Sequence, residues 1–152
     1  MRVLFPCRVT VVGLAALLLA CSAPLVRQQT VNYASNKIKA RWTEIKDSTG
    51  QYKQHGLYTT FYESGATQGV GEFVAGIKNG KWVTYHENGT LKDSSRFVRG
   101  QQESAYVSYF DNSQLDTKGA YKADKRDGLW ESYWDNGKRK RSWTYKKGIE
   151  DG

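Results

Sequence analysis

A fixed 24-residue spacing constrains this chain more than any other feature: Gly56, Gly80, Ser104, Gly128 and Gly152 recur at that interval. Self-similarity of this length marks a row of small supersecondary units, each too small to bury its own apolar face alone. Two positions after the first four markers stand Tyr58, Trp82, Tyr106 and Trp130, and five positions after stand Phe61, Tyr85, Tyr109 and Tyr133. Further along come Gly65, Gly89, Ser113 and Gly137, preceded by Ser64, Asn88, Asn112 and Asn136, and before those by Glu63, Glu87, Asp111 and Asp135. A last ring column, Phe73, Phe97, Tyr121 and Tyr145, leads to Gly76, Gly100, Asp124 and Gly148.

Aromatic and β-branched side chains suit a pleated surface, and Asn-Gly supplies the positive φ of a tight turn, so each repeat reads as one β-hairpin. The remaining glycines fall where the register calls for turns. Trp82 and Tyr85 stand three apart, which puts them on opposite faces unless a bulge intervenes. The expected fold is all-β, an elongated antiparallel meander of four hairpins over 56–152. Eight strands at a spacing of about 4.8 Å make a body on the order of 40 Å long. Residues 41–55, with Trp42, Ile45 and Tyr52, read as a capping half-repeat. The strand holding Trp143 and Tyr145 reads as an open edge guarded by Lys146 and Lys147. The third copy carries Ser104, Ser113 and Tyr106 in place of glycine and Trp, which predicts a local bend between Gln102 and Ser113.

The first twenty residues differ from the rest. Arg2 and Arg8 precede the uncharged run Val9 to Leu19, too short to span a bilayer, so residues 1–20 read as a signal-peptide helix. Leu18-Leu19-Ala20-Cys21 resembles the lipobox of bacterial lipoproteins, which implies a lipid on Cys21 anchoring the chain to a membrane. Ser22 in place of Asp implies delivery to the outer membrane, facing the periplasm. Residues 21–40, polar and without a period, read as the lipidated N-terminus and a flexible tether. Cys7 and Cys21 are the only cysteines, too few for a disulfide framework or a thiolate metal cluster.

The formal net charge of +8 favours anionic partners. Lys138, Arg139, Lys140 and Arg141, with Trp130, Trp134 and Trp143 beside them and Lys122, Lys125, Arg126, Lys146 and Lys147 nearby, form the candidate binding surface. His55 and His86 have no partner at ligand spacing, so no metal is expected. His86 shares a column with Tyr62, Phe110 and Trp134 and reads as a replacement ring. Glu63, Glu87, Asp111 and Asp135 recur at one turn position, which fits exposed turn chemistry better than a paired-acid site. No nucleophile elbow, Walker loop or dinucleotide fingerprint occurs, so neither catalysis nor a cofactor is expected.

The pattern Gly-x-Trp-x-x-Tyr-x-x-x-Gly, seen as Gly80, Trp82, Tyr85, Gly89 and again as Gly128, Trp130, Tyr133, Gly137, is similar to the MORN-repeat variant of YwqK-type antitoxins. That resemblance implies β-hairpin arrays that contact proteins or lipids, and a partner toxin neutralised by an immunity-type protein. The alternative is a module for envelope glycan or anionic lipid, its exposed rings stacking on sugars and its cations meeting phosphate. An exported chain of this kind is not expected to meet nucleic acid.

Overall fold

The computed structural model describes residues 26–151; the segment 1–20 read as a signal peptide, Cys21 and Gly152 lie outside the described residues. Eleven strands follow one another in a single sheet, every neighbour antiparallel and in sequence order. They are β1 (Val26–Asn32), β2 (Ile38–Lys46), β3 (Tyr52–Phe61), β4 (Thr67–Val74), β5 (Ile77–Tyr85) and β6 (Leu91–Val98). The series continues with β7 (Gln101–Tyr109), β8 (Leu115–Lys122), β9 (Lys125–Tyr133), β10 (Arg139–Lys146) and β11 (Ile149–Glu150). The expected all-β meander stands, with three more strands than the repeat predicts.

Two of the extra strands correct the tether. Val26–Asn32 pairs along its length with β2, and β2 begins inside the segment read as flexible. The hairpin β1–β2 repeats the turn seen later: the Tyr33 and Asn36 amides bond the Lys37 and Tyr33 carbonyls as the Tyr62 and Gly65 amides bond those of Ala66 and Tyr62. Residues 41–55 are therefore most of β2, its connection and the start of β3, not a separate half-repeat. At the other end β11 pairs Tyr145 with Glu150 and Lys146 with Ile149, so part of the edge expected to be open is covered.

Two kinds of turn alternate. The two-residue connections are Ala75-Gly76, Arg99-Gly100, Ala123-Asp124 and Lys147-Gly148, with both residues at positive φ in each, the primed geometry that matches strand twist. The Asn-Gly turns are different. Gly89 has φ 85 while Asn88 is not in the left-handed region. The Asn88 side chain instead accepts from the Thr90 amide at 3.0 Å and donates to the Asp111 carbonyl of the next repeat at 2.9 Å, and Asn112 does the same with Gln114 and Asp135. Asparagine recurs there as a tie between repeats.

The marker glycines are not at turns. Gly80 lies inside β5, where Gly80, Lys81 and Trp82 together face the single residue Gly71 between the pairs Val70↔Val83 and Glu72↔Asn79. Ser95 and Gly119 are opposed in the same way by Ser104–Tyr106 and Gly128–Trp130. The bulge ends at Trp82, so alternation from Trp82 to Tyr85 is unbroken and the two point to opposite faces.

The third copy keeps its geometry without glycine. Ser104 has φ 76 and Ser113 φ 67, and the Phe110 amide still reaches the Gln114 carbonyl at 2.8 Å. The pairing of β7 with both neighbours runs on as in the other copies, so the expected local bend is replaced by backbone strain. Restoring glycine relieves that strain: Ser113→Gly is expected to raise stability by about 1 kcal/mol, read as a higher urea midpoint at constant slope.

Candidate binding surface

The bulges decide what each face carries. On one face the ring columns close into a ladder. Tyr58 and Trp82 lie 6.1 Å apart with Phe73 edge-on to both, and Trp82 meets Phe97 at 6.0 Å. A second run joins Tyr106, Tyr121, Trp130 and Tyr145, with Tyr106 and Trp130 stacked at 5.7 Å. Each indole lies over the small residue facing its bulge, Trp82 on Gly71 and Trp130 on Gly119. Where Ser95 stands in that column the ring of the next copy is Tyr106, smaller than an indole. Ser95 explains the departure of the third copy from Trp.

The surface expected from the sequence is divided by this packing. Trp130 is fully buried, its Nε1 donating to the Ala120 carbonyl at 3.2 Å, and takes no part in any surface. Trp143 is half-buried against Tyr145. Trp134 is 50 % exposed, and the Lys140 ammonium stands 4.3 Å from its ring centroid. Arg139 reaches Glu131 at 3.4 Å, whereas Arg141 bridges to Glu150. Lys138 is exposed at the Asn136 turn. Lys122, Lys125, Lys146 and Lys147 gather with Asp127 at the opposite, two-residue-turn end. The cationic run is thus dispersed rather than a single patch.

Glu131 sits between Lys118 at 2.8 Å and Arg139, and the hydrogen bond from Lys118 holds its carboxyl below the usual carboxylate range; the same bond raises Lys118. Glu44 is lowered first by the Trp42 indole N–H, which donates to it at 3.0 Å, and next by Arg27. Burial raises the Tyr106 phenol.

His86 plays the part of a replacement ring. The Tyr62 hydroxyl donates to the Tyr85 carbonyl at 2.8 Å, and one repeat later His86 Nε2 pairs with the Tyr109 carbonyl at the same distance. Tyr33 makes the equivalent bond to Phe61. Phe110 and Trp134, next in the column, carry no hydroxyl for that bond. The turn carboxylates Glu63, Glu87, Asp111 and Asp135 are all exposed. Among the described residues no His, Cys, Asp and Glu group has metal-binding geometry.

A column absent from the sequence reading joins these rings. Thr60, Thr84, Ser108 and Ser132 lie four after each marker, and cross-strand pairs run from Thr60 through Gly69, Thr84, Asp93, Ser108 and Thr117 to Ser132. Side chains paired directly across a sheet share a face, so this row floors a groove between the Trp ladder and the column of Phe110 and Trp134. A second bulge, opposite Phe61, Tyr85, Tyr109 and Tyr133, leaves Gln68, Lys92, Asp116 and Lys140 unpaired. These four line the clefts of the groove, two of which adjoin at Phe110, Asp111 and Asp116. The signal was available in the sequence as four hydroxyls in register.

A single-layer sheet of paired hairpins, cohering through ring-on-glycine contacts, is a repeat module. Within it, residues 78–98 and 126–147 match the MORN repeat variant, a kind of repeat that serves in general as a non-catalytic binding module. Those stretches span β5–β6 and β9–β10, the two copies whose ladder ring is Trp. No curated protein matches the chain.

Proposed function

We propose that this chain is a binding module of the bacterial cell envelope, held at the outer membrane by a lipid on Cys21, whose partner in the periplasm is a protein. The observation that carries the partner class is the face opposite the Trp ladder. There a cross-strand row runs Arg41, Thr59, Val70, Val83, Ser94, Val107, Lys118. Its valines, with Tyr85, Leu91, Tyr109 and Leu115 alongside, remain half-exposed because the sheet has a single layer. An apolar strip bounded by cations suits the core and rim of a protein interface. The resemblance to YwqK-type antitoxins supports a toxin, neutralised by occlusion, as that partner.

Two measurements test this. Fatty-acid labelling of cells is expected to tag the wild-type chain and not Cys21→Ala; equal labelling of both removes the anchor. Capture from native envelopes is expected to retain one protein that Val83→Lys and Val107→Lys release. Lys118 already stands in the same row, so the sheet accommodates such a side chain. A partner indifferent to both changes shows that this face is not the interface.

A further inference from the structure

We propose that the hydroxyl-floored groove on the ladder face binds an extended, uncharged polysaccharide, one disaccharide unit per repeat. This goes beyond the protein-binding reading and uses the other face of the sheet. Three observations carry it.

The first is chemistry. The clefts around Phe110 set aromatic planes, Tyr106 on one side and Phe110 and Trp134 on the other, beside paired hydroxyls and carboxylates. Ser108 donates to Asp116 at 3.0 Å, and Thr84 donates to Asp93. Ring faces for C–H groups, next to acceptors and donors for hydroxyls, are what a sugar ring requires, since its faces are apolar and its rim polar.

The second is charge. Asp93, Asp111, Asp116 and Asp135 line these clefts against Lys92 and Lys140, an acidic balance in a chain of net charge +8. Such a groove repels phosphate and sulfate, so anionic lipid does not belong there. Over Trp134 the cation's place is already held by Lys140, so the remaining exposed ring surface there is left to an uncharged ligand.

The third is period. Equivalent floor hydroxyls recur every second strand, about 9.6 Å at a strand spacing of about 4.8 Å. That distance is close to the advance of one disaccharide along a β-1,4-linked chain. It does not match the side-chain repeat of an extended peptide, about 6.6 Å for alternate residues.

The test uses the full chain in a polyoxyethylene detergent, titrated by calorimetry with N-acetylglucosamine oligomers of two, four and six sugars, with cellohexaose, and separately with phosphatidylglycerol vesicles. Affinity is expected to rise with each added disaccharide. Trp134→Ala and Phe110→Ala are each expected to weaken hexamer binding at least about tenfold. An unchanged unfolding midpoint of Trp134→Ala shows that the fold survives. The proposal is overturned if no oligomer binds, if affinity stops rising at two sugars, or if both variants bind like wild type. It is also overturned if Trp134→Ala abolishes binding to vesicles instead. Loss of lipidation or of the protein partner would leave all these readings unchanged, so the two proposals fail separately.

Discussion

Gly119→Ala is expected to destabilise the protein by about 3 kcal/mol or more, although it adds one methyl group to a strand of ordinary φ. A Cβ there would lie 2.2 Å from Cδ2 of Trp130, inside the ring's own volume. The indole has nowhere to go. Tyr121 meets it edge-on at 5.1 Å, Tyr106 stacks on it at 5.7 Å, and its N–H is held by the Ala120 carbonyl. Either the strands part or the ring leaves its seat, and both forfeit burial of the one fully buried large side chain among the described residues. Gly69→Ala is the control: its nearest neighbour would be the Thr60 hydroxyl at 3.1 Å, on a side chain able to turn away. Urea unfolding of the two variants should separate them clearly. The pair Ser95 and Tyr106 indicates the rescue, since a smaller ring accompanies a larger seat; Trp130→Tyr is expected to recover part of the loss in Gly119→Ala. A cost below about 1 kcal/mol for Gly119→Ala would show that the indole does not rest on the glycine.

The second large effect contrasts two tryptophans four residues apart. Trp130→Ala is expected to cost about 3–5 kcal/mol, the usual range for emptying a buried aromatic site. Because each repeat leans on its neighbours, the loss should reach β10, which pairs onto β9, and through it β11, which pairs onto β10. Trp134→Ala, at a half-exposed position, is expected to stay within about 0.5 kcal/mol. Thermal unfolding of both variants checks the contrast, and amide exchange in β10 shows whether the loss spreads. Equal costs would mean that the ladder is not what holds the last repeats.

Which tryptophan is buried was hidden in the sequence for a definite reason. Trp130 lies between Leu129 and Glu131 and Trp134 between Tyr133 and Asp135, so their neighbours look alike, and period-two alternation places the two on the same face. What separates them is the bulge at Gly128–Trp130, which draws one ring over Gly119 and leaves the other beside the Asn136 turn. A bulge costs one or two residues of register and leaves little trace in the sequence: a glycine easily read as a turn residue at Gly80 and Gly128, and not even that at Ser104. The repeat itself was legible because its cause is local: rings and turn residues recur at a fixed interval, so the meander and the ladder follow from it. The first hairpin was not, since the longer Asp47–Gln51 connection breaks the interval, and Asn36, at φ 62, replaces the turn glycine. The cationic run was visible but misleading, because the bulge at Lys140 breaks strand alternation: Arg139 and Arg141, two apart, reach different carboxylates.

The second bulge has an evolutionary consequence. Gln68, Lys92, Asp116 and Lys140 occupy a position that no cross-strand pair engages, and the chain already tolerates an amide, two ammonium groups and a carboxylate there. Cohesion between copies depends on other columns. A lineage can therefore rewrite what the groove recognises one peg at a time, or lengthen it by duplicating a copy, while the scaffold beneath needs no retuning.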